Sequence, residues 1–299
     1  MAGPRVSPPD VVVAIKALAC ELPATTGVPL ARWHCPELAR QAVVQGIVAS
    51  ISNTTVWRWL TADAIKPWRH RSWIFPRDQQ FETKAGRVLD LYHRRWAGKP
   101  LKPDEYVVSV DEKTSIQARA RKHPTLPPAA ARPMRVEHEY ERRGALAYLA
   151  ALDVHHARIV GRCEPTTGIA PFGRLVEQVM TCEPYTSARR VFFIADNGSS
   201  HRGQKSIDRL RQAWPTARLV HLPIHASWLN QIEIYFSIVQ RKVLTPNDFT
   251  DLDDVASRLL TFQDRWEQTA TPFEWKFTRD DLHHLVTRLD DHQPLATAA

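Results

Sequence analysis

Apolar residues recur along this chain with two different periods, and the change of period divides it. Over residues 36 to 65, PELARQAVVQGIVASISNTTVWRWLTADAI, they return every three or four positions. Leu38, Ala42, Val43 and Ile47 mark one predicted helix and Gly46 a turn; Val56, Trp59 and Leu60 form the inward side of a second, short helix with Ser52 as its N-cap. One further helical stretch is expected around Val11 to Ala19. The pattern resumes from Glu82 to Trp96 through Ala85, Val88, Leu89 and Tyr92, and AGKPLKPDE then predicts a boundary near residue 100.

Beyond that boundary, short β-branched runs alternate with helical ones, the pattern of an α/β domain. EYVVSVDEKT (105–114), GALAYLAALDV (144–154), ARIVGRCEP (157–165), ARRVFFIADNGSSH (188–201) and ARLVHLP read as strands, with Asp111 at the C-terminal end of the first and Asp196 closing the fourth. Residues 172–180 and 205–213 read as helices, and the Pro-rich stretch between Arg119 and Arg143 as a surface excursion. The helix begun by HASWLNQIEIYF (225–236) places Leu229, Ile232, Phe236, Val239 and Val243 on one apolar face. Glu233, four residues after Leu229 and three before Phe236, lies on or beside that face, where an unpaired carboxylate is costly. After residue 246 an amphipathic helix is expected, with Thr250 or Asp251 as N-cap and Val255, Leu259, Phe262 and Trp266 inward, followed by a frayed tail.

At 299 residues and 43% apolar, the chain can bury one large core or two. It is expected to be soluble and cytoplasmic: no apolar run approaches the roughly 18 residues of a membrane span, the start MAGPRVSPPD lacks a secretory pattern, and Cys20, Cys35, Cys163 and Cys182 have neither zinc nor disulfide-framework spacing. The net charge of +8 points to an anionic partner, and its distribution sharpens this. Residues 1 to 100 carry 14 Lys and Arg against 7 Asp and Glu, a net of +7, leaving +1 for the remainder.

The basic part is the helical part. In a helix-turn-helix the second helix offers its first turns to the DNA major groove, which here means Asn53, Thr54, Thr55 and Arg58. An ordinary helical hairpin fits the same pattern, so the residues alone leave both open. In KPWRHRSWIFPRDQQF (66–81), Lys66, Arg69, Arg71 and Arg77 alternate with aromatics between Pro67 and Pro76, a basic linker with contact to the DNA backbone.

Strand-terminal Asp111 and Asp196 meet if their strands are neighbours, and Glu233 is a third acid. Three converging carboxylates repel one another unless cations neutralise them, and hard oxygen donors suit Mg²⁺ or Mn²⁺, as in two-ion phosphoryl transfer. Each acid taken singly fits a turn or cap equally well.

The words SVDEKTSIQAR, IADNGSSHRG and HASWLNQIEIYF, with 36 residues between Asp196 and Glu233, together resemble the DDE transposases of bacterial insertion sequences related to mariner elements. The resemblance runs from about residue 30 to the C-terminus. It implies a ribonuclease H-like (retroviral integrase-type) catalytic domain behind an N-terminal all-α helix-turn-helix region. It implies that Asp111, Asp196 and Glu233 are catalytic and bind two Mg²⁺ ions (with Mn²⁺ substituting), that water cuts the element's ends, and that the freed 3′-hydroxyl attacks target DNA. The implied partners are double-stranded DNA, as terminal inverted repeats and a TA-containing target, and a second copy in a homodimer on DNA, with no membrane and a nucleoid-associated location.

On this reading residues 1–30 are an N-terminal segment, a truncated first DNA-binding unit; 31–65 the helix-turn-helix; 66–100 a basic linker and helix; 101–245 the catalytic domain; and 246–299 a helical extension and tail. A catalytically inactive DNA-binding remnant or repressor of the same family is the alternative, and a structure-selective nuclease of this fold class a third reading. Asn197, His201 and Lys113 are candidate supporting residues, whereas His225 and Asn230 are expected to be structural and Glu112 to face away from Asp111.

Overall fold

In the computed structural model, which describes residues 8–70, 78–198 and 201–291, the chain forms two compact units, Met1–Ile74 and Phe75–Ala299, and the helical stretch from Glu82 belongs with the strands in the second. The divisions expected at residues 30 and 65 lie inside the first, and those at 100 and 245 inside the second.

The first unit contains helices α1 (Pro9–Cys20), α2 (Cys35–Val44) and α3 (Asn53–Ala62). Proline at the start of α1 and early in α2 costs no hydrogen bond, since first-turn amides have no partner within a helix. Ile15 and Leu18 of α1 pack with Trp33, Leu38, Ala42, Val56 and Leu60 in one core, so α1 belongs to the same structure as the helix pair. Gly46 takes φ +71°, which ends α2 and turns the chain toward α3. Val43, grouped with the inward positions in the sequence pattern, is 41% exposed at the end of α2. Ser52 caps α3 as expected, its Oγ accepting the Thr55 amide at 3.1 Å.

The second unit opens with α4 (Phe81–Tyr92) and a small hairpin of β1 (Arg95–Trp96) and β2 (Lys99–Pro100). The helix expected to reach Trp96 therefore stops four residues early. Arg94 adopts φ 55° and accepts the Leu101 amide at 2.7 Å, which folds the chain back into the hairpin. There follow β3 (Glu105–Arg121), β4 (Tyr140–Asp153), β5 (Ile159–Glu164), α5 (Ile169–Met180), β6 (Arg190–Ala195), α6 (Gln204–Ala213), β7 (Ala217–His221), α7 (Ile232–Lys242), α8 (Leu252–Glu267) and α9 (Arg279–Asp291).

The sheet runs β5-β4-β3-β6-β7, with β4 antiparallel to β3 and β5, and β6 parallel to β3 and β7. Alternate residues of its strands serve opposite faces. Val108, Val110, Leu149 and Ala151 pack with α5 and Leu210 of α6, whereas Tyr148, Ala150 and Leu152 pack under α7 and α8. Val107, Phe192 and Ile194 meet α4 and Leu282 of α9. Among the described residues no helix is long and apolar enough to cross a membrane.

Three local expectations change. The first strand does not end near Thr114 but continues to Arg121 beside β4, so the excursion shrinks to residues 122–139 and contains the bridge Leu126↔Arg135. SWLNQ does not begin the Glu233 helix: Ser227–Leu229 form a single 3₁₀ turn, Asn230 is extended, and α7 starts at Ile232. Leu229 consequently leaves the shared face and packs with α4 and β6, while Ile232, Phe236, Val239 and Val243 keep theirs against β4 and α8.

Candidate active site and DNA-contacting residues

The parallel pairing of β3 with β6 fixes the relation between the first two acids. It runs in register from Glu105↔Arg190 to Ser109↔Ile194. Two residues further along each strand stand Asp111 and Asp196, so they leave the sheet side by side where the parallel pairing ends, on neighbours about 4.8 Å apart. Asp111 thus sits at a strand end with respect to β6 although β3 itself continues along β4.

Glu233 in the first turn of α7 completes the group. Burial pushes the Asp111 carboxyl up to about 7; the Glu112 amide opposes this, and the negative charges of Asp196 and Glu233 add to it. Glu233 is exposed on α7, outside the buried face of Ile232, Tyr235, Phe236 and Val239, so the cost expected of a carboxylate on that face does not arise. Its carboxyl is raised, first by partial desolvation, with Lys113 opposing the shift and Asp196 reinforcing it. Asp196 is thus a shared negative neighbour of Asp111 and Glu233. As they stand, no three His, Cys, Asp or Glu side chains among the described residues enclose a space for a metal ion.

Asp196 is held low in spite of its neighbours, because the His201 ring hydrogen-bonds its carboxylate. His201 Nε2 lies 2.5 Å from Asp196 Oδ1, which also accepts the Gly198 amide at 2.7 Å. The ring is buried against Phe172, and His221 Nε2 donates to the His201 carbonyl at 2.6 Å. His201 is thus a partner of Asp196. Asn197 turns elsewhere, its Nδ2 donating to the Leu222 carbonyl at 2.8 Å and tying the loop to the chain after β7.

Asn230 has a role that the sequence did not disclose. Its Nδ2 donates to Asp111 Oδ2 and to the Val110 carbonyl, both at 3.1 Å, and its Oδ1 accepts the Ser109 hydroxyl. Ser109 Oγ in turn accepts the Ile232 amide at 3.1 Å. Asn230 and Ser109 are 1% and 0% exposed, so a dry relay joins the strand carrying Asp111 to the helix carrying Glu233. The available signal was a polar side chain three residues before Glu233 in an otherwise apolar run; its partners, about 120 residues away, were not visible there. His225, expected to be structural, takes φ 62° in the approach to the 3₁₀ turn. Glu112 pairs with Leu149, on the face opposite Asp111.

The DNA-contact candidates divide by exposure. In the first unit Asn53, Thr54 and Arg58 are exposed on the first turns of α3. Thr55 is half-buried, with its hydroxyl 2.8 Å from Ser52 Oγ. Arg69 is exposed beyond α3, and Arg71 lies outside the described residues.

The family model of the DDE superfamily endonucleases matches residues 106–256, which include all three acids. No curated protein matches the sequence. Solved structures of Mos1 mariner complexes share the fold: the paired end complex with Mn (15% identity, TM-score 0.54, 97% of this chain and 80% of that one) and the pre-cleavage transpososome (16%, 0.53, 97% and 80%). The Mos1 strand transfer complex matches similarly, with 15% identity, a TM-score of 0.51 and coverage of 97% and 79%. The architecture is accordingly the ribonuclease H-like one, with a helical region before the sheet.

Proposed function

The chain belongs to the DDE superfamily endonucleases, and from that premise we propose that it is an insertion-sequence transposase, which binds terminal inverted repeats, cuts DNA and joins the freed 3′-ends to a TA-containing target. The observation that carries this reading is that the family match spans all three acids, with Asp111 and Asp196 side by side on β3 and β6 and the Asn230–Ser109 relay tying β3 to the start of α7, which carries Glu233. That the Mos1 complexes of like fold contain DNA ends and Mn or Mg supports it.

In this proposal the three carboxylates hold two divalent ions. Their donor set fits: all three are carboxylates, the hard oxygen donors that such ions take. When bound, Mg²⁺ or Mn²⁺ would supply charge neutralisation at the scissile phosphate and favour an in-line displacement by water or a 3′-hydroxyl. The protein's own part is positional. Asn230 holds one oxygen of Asp111 in place, and the His201 ring does the same for Asp196, leaving Asp196 Oδ2 without a hydrogen-bond partner among the described residues. Lys113, whose charge acts on Glu233, adds a cation beside a phosphate-binding site. Asn53, Thr54, Thr55 and Arg58 read repeat bases from α3, while Arg69 and Arg71 contact backbone. A homodimer on DNA would pair the two ends.

A labelled repeat end incubated with the purified chain and Mg²⁺ or Mn²⁺ tests the reading. Cleavage is expected, and Asp196→Ala should lower it by at least 100-fold. Failure of the wild-type chain to nick under either metal, or equal nicking by the variant, overturns the reading in favour of a non-catalytic DNA-binding protein.

A further inference from the structure

Two clefts in the second unit lie end to end along the distal half of β3. The first, of about 220 Å³, is lined by Lys113, Thr114, Ser115, Gln117 and Arg119 of β3 and by Gln240 of α7. The second, of about 640 Å³, continues past Arg121 and Tyr140. They share Arg119, Gln240, Leu244 and Asn247, so they form one channel with a common middle. Its near end, Lys113, stands two residues after Asp111 on β3, and Gln240 lies seven residues, about two turns, after Glu233 on α7, so the channel runs along the strand and the helix that carry two of the acids.

The channel has a fixed wall and cationic chemistry. Asn247 accepts the Arg119 amide at 3.1 Å and donates to the Gln117 carbonyl at 2.7 Å, which pins the segment after α7 to the edge of β3. The Arg121 guanidinium is held by the Asn247 and Glu137 carbonyls, each at 2.7 Å. Arg119 stacks over the Tyr140 ring at 4.8 Å with only its Nε bonded, to Gln117, so among the described residues its terminal nitrogens bond nothing. The one acid in the lining, Glu137, accepts the His123 amide at 2.6 Å and faces the His123 ring at 2.7 Å. A basic, hydroxyl- and amide-rich channel fits a phosphodiester backbone, because these groups bond phosphate oxygens without reading bases. Along α7, Gln240, which lines both clefts, lies about 10 Å beyond Glu233 at about 1.5 Å per helical residue, the axial length of about three phosphates of one duplex strand.

We propose that this channel seats one strand of duplex DNA next to the phosphate cut at Asp111, Asp196 and Glu233, through its backbone and independently of sequence. The proposal rests on the transposase reading for its choice of DNA, but its test stands apart from cleavage.

The full-length chain carrying a photo-crosslinking amino acid at exposed Gln240 is mixed with a labelled repeat-end duplex and irradiated. The channel predicts a crosslink confined to one strand, within about five nucleotides of the terminus-proximal cut position. In parallel, Arg119→Gln should flatten the dependence of log affinity on log salt by about one. Gln240→Glu, at an exposed position of α7, should raise KM several-fold with kcat retained. Arg265→Gln on α8, outside both clefts, is the control and should change neither quantity. Melting curves matching wild type establish that each variant is folded. Absence of a DNA crosslink together with unchanged salt slope and KM overturns the channel, as does a crosslink to a second copy of the chain instead of to DNA. A wild-type chain that binds and crosslinks but never cuts defeats the transposase reading and leaves the channel standing; one that cuts with no effect of either variant and no crosslink does the reverse.

Discussion

At the scale of single residues, Asn230 carries the most information, because it supports Asp111 without touching substrate. Asn230→Ala would leave the Ser109 hydroxyl, the Val110 carbonyl and one Asp111 oxygen short of a partner in a dry setting, a change that costs about 2 kcal/mol. Loss of an outer hydrogen bond to a metal-binding carboxylate also lowers metal affinity by roughly 10- to 100-fold. Both effects are expected, read by urea denaturation and by Mn²⁺ titration of the folded variant; unchanged Mn²⁺ affinity would show that the relay only stabilises the fold. Asp111 supplies a second expectation. Without divalent ions its carboxyl keeps a proton up to about pH 7, whereas the unfolded chain releases it near 3.8. Between those values the folded state binds more protons, so the stability contributed by this group is complete below the lower value and is lost as pH rises through the upper. The difference in unfolding free energy between wild type and Asp111→Asn should therefore move in favour of the variant from pH 4 to pH 8 in EDTA, and a pH-independent difference would refute the assignment. The neighbouring places of Asp111 and Asp196 were legible in the sequence because each follows a short apolar run that pairs in the sheet. The supports of Asp111 were not, since Asn230 reaches a strand some 120 residues earlier.

Elements differ in where their ends are secured, and this decided which boundaries could be read in advance. Helix α3 is capped by its own neighbour: Ser52 accepts the Thr55 amide, a local motif with a sequence signature. The start of α7 has no side-chain cap from Gln231, and the Ile232 amide goes instead to Ser109 on β3, a partner outside the segment. A reader of HASWLNQIEIYF therefore begins the helix too early and assigns Leu229 to its face. The 3₁₀ turn in fact hands Leu229 to the α4 side, where the Tyr92 hydroxyl donates to its carbonyl at 2.6 Å. The same asymmetry predicts unequal costs. Ser52→Ala exposes a helix amide to water that can still bond it, and should cost about 1 kcal/mol. Ser109→Ala strands the Asn230 oxygen and the Ile232 amide in a buried place, and should cost about 2 to 3 kcal/mol. Chemical denaturation of the two variants ranks them, and equal or reversed costs would mean that α7 is secured by packing alone.

For the whole molecule, the compact units redistribute the charge that the linear sequence assigned to the N-terminal region. Residues 1 to 74 hold 8 Lys and Arg against 4 Asp and Glu, a net of +4, and residues 75 to 299 hold 32 against 28, also +4. The apparent concentration of positive charge before residue 100 arose because Arg77, Lys84, Arg87, Arg94, Arg95 and Lys99 precede the first long strand in the chain, yet they belong to the second unit. That unit also has its own cores, built from the two faces of its sheet and the helices on them. Removing residues 1–74 should therefore leave a cooperatively folding protein that still binds duplex DNA, since phosphate attraction needs cations and no particular sequence. It should lose discrimination between repeat and unrelated DNA, because base readout is assigned to α3. The affinity ratio of repeat to non-repeat duplex, measured at fixed salt, is expected to fall to about one in the truncated chain while a negative salt slope persists. A truncated chain that keeps the repeat preference would move recognition into the second unit, and one that binds no DNA at all would confine the electrostatic footprint to the first.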